Sequence, residues 1–302
     1  MKKRFLLSVL VATVLLWNTS ARAALEVLAC EPEWGALMTE LAGDKAKVSV
    51  ATTPRQDSHH IEARPSLIAR ARRTDLLVCT GAELEIGWLP LLQRESGNAR
   101  IQSGQQGYFE AANYVTLIEK PQLLDRAMGD VHAAGNPHFL FDPRTLPAVA
   151  DALAMRLGQL DPANAAHYTA RLADFKQRWG AAIVRWEQRA APLKGVKIGV
   201  HHKNWSYLIQ WLGMEVVIEL EPKPGVDPSA AHLAEVVKRL EQTPARMILR
   251  ANTQSARPAQ WVSQRTGIKP IELPVTVGAT DKAADLFGLF DDIITRLLEG
   301  LQ

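Results

Sequence analysis

Five of the eight histidines fall in three places where a chain can present side chains to a ligand. His59 and His60 close a polar loop that follows a short β-prone run. His138 ends the tight loop Asn136-Pro137-His138, which leads towards a helix. His201 and His202 follow directly on the apolar run Val196–Val200. If each run is a strand of an open parallel sheet, all three clusters lie at carboxyl ends, where such sheets bind their ligands. Three neutral imidazoles meeting there would hold a borderline-soft divalent metal ion, most naturally zinc. His132, in the loop before His138, could add an auxiliary contact. His167 and His232 sit on helical stretches and receive no role.

The elements that must position these rings follow from periodicity. Apolar residues recur at Ala165, Tyr168, Leu172, Phe175, Trp179, Ala182, Trp186 and Ala190, in steps of three or four. That spacing puts all eight on one face of a helix. Asp161 is placed to cap it, Pro162 fits its first turn and Pro192 ends it. About thirty residues at ~1.5 Å each make a rod of roughly 45 Å. α/β-like sequence flanks the rod on both sides. The expected fold is therefore α/β, with two mostly parallel-sheet lobes joined by one long rigid helix and a metal site in the cleft between them. The lobes are residues 24–160 and 193–302, and the linking helix is 161–192.

In the first lobe, strands are expected at Leu25–Cys30, Lys47–Ala51, Thr74–Cys79 and Asn113–Ile118, with helices at Trp34–Ala42, Pro65–Arg73, Trp88–Gln93 and Arg144–Leu157. In the second, Val196–Val200, Met214–Leu220, Arg246–Arg250 and Pro270–Leu273 alternate with helices at Trp205–Leu212, Ser229–Leu240, Pro258–Thr266 and Asp281–Leu298. Strands that alternate with helices imply parallel sheets covered by helices.

The first 23 residues stand apart from this pattern. A basic start (Lys2, Lys3, Arg4), the apolar run Phe5–Trp17 and the small-x-small site Ala21-Arg22-Ala23 read as a secretory signal peptide cleaved after Ala23. The apolar run is too short to span a bilayer. Without this segment the Lys and Arg count drops from 35 to 31 against 32 Asp and Glu, a net of −1. The apparent basicity belongs to export, and nothing in the balance points to nucleic acid. Val27-Leu28-Ala29-Cys30 is a poor lipoprotein box because Glu26 breaks its apolar context. Export makes Cys30 and Cys79, at the ends of two strands, candidates for a disulfide, the alternative being two buried thiols.

Four stretches carry a resemblance to a known family. They are Asp57-Ser58-His59-His60-Ile61-Glu62-Ala63-Arg64-Pro65-Ser66, Asp75 to Glu85, Asn136-Pro137-His138-Phe139-Leu140-Phe141-Asp142-Pro143 and His202-Lys203-Asn204-Trp205-Ser206-Tyr207. In these the chain resembles the metal-binding receptors of zinc and manganese ABC importers, the helical-backbone class of periplasmic solute-binding proteins. The resemblance implies His59, His138 and His202 as ligands, rather than His60 or His201. It favours Zn2+ as the transported ligand, because manganese receptors tend to have glutamate at the third place. It implies a periplasmic location and an ABC permease at the inner membrane as partner, and leaves a separate metallochaperone open. The chain is expected to be a monomer.

Two departures stand out. The family's fourth ligand is usually an aspartate soon after the last strand. Here the nearest acid is Asp281, which arrives late and could equally cap the final helix; water or Glu62 are the substitutes. The long histidine-rich loop of many zinc receptors is reduced, because Lys120–Gly135 contains only His132. Asp57, Glu62 and Asp142 are candidates to orient the ligating rings. The function implied is capture and not catalysis. A zinc hydrolase, the main rival, would share the three histidines, but no HExxH helix or serine nucleophile elbow is present. An adhesin of the same fold and a receptor for an organic solute are weaker still.

Overall fold

The computed structural model describes residues 24–122 and 129–302. The expected signal peptide lies outside the described residues. The chain opens with β1 (Leu25–Ala29), α1 (Pro32–Ala42), β2 (Ala46–Val50), α2 (Pro65–Ala71), β3 (Leu76–Cys79), α3 (Leu89–Ser96) and β4 (Tyr108–Glu110). These strands form one parallel sheet in the order β2-β1-β3-β4. Then come α4 (Leu146–Leu160) and the long α5 (Ala165–Ala190). The second half continues with β5 (Lys197–Val200), α6 (Ser206–Leu212), β6 (Glu215–Glu219), α7 (Ala230–Gln242), β7 (Met247–Ala251), α8 (Arg257–Thr266), β8 (Lys269–Leu273) and α9 (Leu286–Glu299). Its sheet is also parallel, in the order β6-β5-β7-β8. The two halves thus repeat one strand order. β3 reads Leu-Leu-Val-Cys and is buried at every position, as a central strand covered on both faces must be.

The long helix has 26 residues in α-conformation, flanked by 3₁₀ turns at Pro162–Asn164 and Ala191–Leu193. Of the eight residues on its expected apolar face, Tyr168, Phe175, Trp179, Ala182, Trp186 and Ala190 are buried, while Ala165 and Leu172 are partly covered. The face packs on α1 and α4 from the first half and on α9 from the end of the chain. Trp179 meets the rings of Phe287 and Trp186 at 5.0 Å, and Trp186 stacks on Phe290 at 5.0 Å. The indole N–H of each tryptophan finds an acceptor, the Pro143 carbonyl for Trp179 and the Asp291 carboxylate for Trp186, as buried tryptophans require.

Three expectations need correcting. Asp161 does not cap the helix with its side chain; its carboxylate accepts from the Tyr168 hydroxyl and the Asn164 amide instead. The strand expected at Asn113–Ile118 is absent from both sheets. The edge strand is the earlier β4, and a 3₁₀ turn at Ala111–Tyr114 lifts the chain off the sheet. Beyond that turn, the Ile118 N–H donates to the Tyr207 hydroxyl in the second half, and its carbonyl accepts from Asn136. The last helix starts at Leu286, five residues later than expected, and Asp285 caps it by accepting from the Gly288 N–H.

Cys30 and Cys79 are bridged, joining the carboxyl ends of the neighbouring strands β1 and β3. Among the described residues, no helix is long and apolar enough to cross a membrane.

Candidate metal centre

A cavity of about 380 Å³ opens between the carboxyl ends of the two sheets. The loops after β1, β2, β3, β5, β6, β7 and β8 each send at least one residue to its wall, as does the loop carrying His138. Its depth and polarity come from this convergence.

The rings of His59, His138 and His202 gather in the cavity. Their centroids are 5.6 Å apart for His59 and His138, 6.0 Å for His138 and His202, and 6.4 Å for His59 and His202. His59 comes from the loop after β2, which is fixed by the Trp88 indole N–H donating to the Ser58 carbonyl and by Asn252 of the second half donating to the Pro54 carbonyl. His138 stands in a turn closed by its own N–H donating to Asn136 Oδ1. The Asn136 amide donates to the Lys203 carbonyl, and the Tyr207 hydroxyl donates to the Asn136 carbonyl. One asparagine therefore ties the His138 loop to the other half.

Carboxylates orient two of the three rings. Asp57 Oδ1 lies 2.7 Å from His59 Nδ1 and also accepts the His59 backbone N–H. Glu221 Oε2 lies 2.6 Å from His202 Nδ1 and is itself held by the Gly225 N–H. Each carboxylate accepts a hydrogen bond from Nδ1–H, which leaves the Nε2 lone pair to bind, the arrangement seen around metal-ligating histidines. The third ring offers a different sign: His138 Nε2 is buried with no hydrogen-bond partner. A buried polar atom without a partner is costly, and a ligand would satisfy it.

The charge states fit. His138 sits far below the ordinary imidazole range because of burial and the neighbouring His59, His202 and His132 rings, so it is neutral and ready to ligate. Burial also pulls His59 down, but its hydrogen bond and attraction to Asp57 outweigh that and leave its pKa raised. Burial pushes Asp57 up, yet its contacts with His59 hold it well below the usual carboxylate range. Three carboxyls are buried at this end of the first sheet, Glu33 in the cavity wall and Glu31 and Glu85 outside it. Burial raises all three, Glu33 and Glu85 to about 7.

The remaining sequence candidates are placed as follows. His60 is exposed, and His201 is buried with Nε2 3.8 Å from Glu221. Asp142 forms a two-pronged pair with Arg144 and orients no histidine, and Glu62 is exposed. Asp281 is exposed and outside the cavity wall. The segment between β8 and α9 reaches the cavity earlier, at Val275 and Thr276, and then folds back on itself through the Gly278 N–H to Ala283 carbonyl bond and the Thr280 hydroxyl to Asp292. His132, in contrast, is at the site, its Nε2 3.3 Å from His59 Nε2. Glu221 was missed altogether. The sheet register places it: β5 and β6 pair Val200 with Glu219, and two residues further along both chains His202 stands beside Glu221.

Among the described residues, the one His/Cys/Asp/Glu group whose ligand atoms all lie within 4.8 Å of one another is Cys30, Cys79 and Glu85, and there the sulfurs are already bonded to each other. The histidine nitrogens are spread wider, so binding an ion requires the rings to close on it.

Residues 27–300 match the family model described as ZnuA, zinc-uptake complex component A, periplasmic. The high-affinity zinc uptake system protein ZnuA of Bacillus subtilis is 20% identical, covering 87% of this chain and 82% of that protein. The manganese ABC transporter substrate-binding lipoprotein PsaA of Streptococcus pneumoniae is 21% identical, covering 83% and 80%. The Mn-bound periplasmic metal-binding protein of Candidatus Liberibacter asiaticus superposes with a TM-score of 0.74 at 17% identity, covering 91% of this chain and 99% of the other, and shows the same fold. With a match across nearly its whole described length, the chain belongs to the periplasmic zinc-uptake component A family, the substrate-binding receptors of metal ABC transporters, and is a binding protein, not an enzyme.

Proposed function

We propose that this receptor captures Zn(II) in the cleft between residues 24–160 and 193–302, held apart by the helix 161–192, and delivers it as a monomer to the permease of an ABC importer. The observation that carries the reading is the donor set: His59 and His202, each oriented through Nδ1 by a carboxylate, and His138 with a buried, unpartnered Nε2. Imidazole nitrogen suits zinc better than the harder manganese ion. The exported form would begin after Ala23 and work in the periplasm, with Cys30 held in the disulfide and not lipidated.

The ligand enters as cargo, and the chain's residues do the rest. Asp57 and Glu221 keep two rings in the binding tautomer. Asn136 and Tyr207 hold the His138 loop against the second half, so closure is confined to side chains and loops. The test is metal content and zinc titration of the mature protein beside His138→Ala, with manganese as competitor. One tightly held zinc per chain, lost in the variant and preferred over manganese, supports the proposal. Absence of stoichiometric metal, or binding indifferent to His138, refutes it.

A further inference from the structure

The loop that carries His132 crosses the mouth of the cleft and is fastened on both sides. On the second half, the Asp130 N–H donates to the Pro224 carbonyl at 3.0 Å. On the first, the Ala133 N–H donates to Glu83 Oε2 at 2.7 Å. The seat on the second half is made by two glycines with positive φ, Gly129 at 85° and Gly225 at 74°. A Cβ at Gly129 would run into the Pro224 carbonyl, and one at Gly225 into the Asp130 carboxylate. The approach is thus close enough to exclude any side chain.

This strap delivers an imidazole to the candidate metal centre. His132 is half-buried, its ring centroid is 5.3 Å from that of His59, and the two Nε2 atoms are 3.3 Å apart. Two nitrogens bound to one tetrahedral zinc at about 2.0–2.1 Å must stand ~3.3–3.4 Å apart. The pair therefore already has the separation of two ligands on one ion. Of the acids lining the cavity, Asp57 and Glu221 hold Nδ1 atoms, Glu33 accepts from the Thr276 hydroxyl, and Asp130 stands 4.0 Å from the exposed His60 ring, with Asp227 also on the wall.

We infer that His132 is the fourth ligand and the specificity-determining residue, converting a three-histidine site into an all-nitrogen one that favours zinc over manganese, with the Gly129–Asn136 strap as the device that presents it. The inference rests on the zinc-receptor reading above. An all-imidazole tetrahedron suits zinc, whereas the harder manganese ion prefers oxygen and more ligands.

The experiment compares wild type, His132→Ala, Gly225→Ala and His138→Ala by competition titration with Zn(II) and Mn(II), and counts imidazoles on the bound zinc by X-ray absorption. Loss of an outer hydrogen-bond partner alone weakens metal binding by roughly 10–100-fold, so H132A should lose at least about 100-fold for zinc. Manganese affinity should change by less than about tenfold. G225A keeps His132 but unseats the strap, and it also disturbs the Gly225 N–H that holds Glu221, so it should lose zinc affinity in the same direction and serves only as support for H132A. The imidazole count should fall from four to three in H132A. Zinc affinity and imidazole count unchanged in H132A, with binding still abolished in H138A, overturn the inference and leave the receptor reading intact. Equal weakening of both metals overturns the specificity role. No zinc bound by wild type removes the receptor reading itself.

Discussion

Asp57 and His59 form a hydrogen-bonded pair whose pKa values shift apart, and the pair shapes the response of the site to acid. The raised pKa of His59 means that metal must displace a proton near and below neutral pH. Affinity is full above the His59 pKa and falls about tenfold per pH unit below it, since one proton competes for one ring nitrogen. Calorimetry in buffers of different ionisation enthalpy should record proton release on zinc binding that grows as the pH falls below neutral. Asp57→Asn removes the attraction that raises this pKa. The acid limb should then move to lower pH, while affinity on the alkaline plateau drops by roughly 10–100-fold because the ring loses its orienting partner. A plateau equal to wild type would assign Asp57 no positioning role.

At the scale of elements, the long helix packs against both halves, and the disulfide staples two strands of the first sheet. Trp186 is fully buried between the helix and α9, and its indole N–H is bonded to Asp291. Trp186→Ala should destabilise by about 3–5 kcal/mol, read as a shift in the denaturant midpoint, with zinc affinity at low temperature nearly unchanged because the residue is remote from the cavity wall. The Cys30–Cys79 bridge closes a loop with a sequence separation of 49. Cys30→Ala with Cys79→Ala should cost about 2–4 kcal/mol by freeing the unfolded chain. Thermal unfolding of the double variant with and without reductant checks this, since only wild type should respond to the reductant.

For the whole molecule, the relevant contact is one that joins its two ends. Glu33, after β1, accepts from the hydroxyl of Thr276, after β8, in the cavity wall. Burial raises the Glu33 pKa from 4.5 to about 7. A carboxyl with a raised folded pKa binds more protons folded than unfolded. Its contribution is therefore fully present below pH 4.5 and is lost as pH rises through 7. At about 1.4 kcal/mol per unit this amounts to roughly 3 kcal/mol. His138 acts in the opposite sense: its depressed pKa stabilises above pH 6.5 and is lost in acid. Glu33→Gln should remove the Glu33 share of the stability loss of the metal-free protein between pH 5 and 8, leaving the shares of Glu31 and Glu85 and the acid limb in place. Parallel urea titrations of the two proteins across that range decide it.

The amino-acid sequence alone determined the parts of this protein that rest on local pattern. Steps of three and four marked the face of the long helix, apolar runs marked seven of the eight strands, and the histidine clusters marked the ends of the strands they follow. Asp57 was one of three acids the sequence offered to orient the rings, and two residues suffice for its hydrogen bond to His59, whereas Asp142 pairs with Arg144 instead. What failed depended on partners distant in the chain. The Asn113–Ile118 strand was misread because an edge strand is defined by its neighbour, and the chain leaves β3 after Glu110 to meet Tyr207. Asp281 had the right chemistry in the right region, but the fold-back before α9 leaves it in solvent. Glu221 became visible only through the register of β5 on β6, and His132, offered by the sequence as an auxiliary contact, was set beside His59 by a loop pinned at Pro224 and Glu83. Periodicity fixes which face of an element is buried. Which loops meet across a cleft is decided by how the two sheets pack on one helix, and only the tertiary structure carries that.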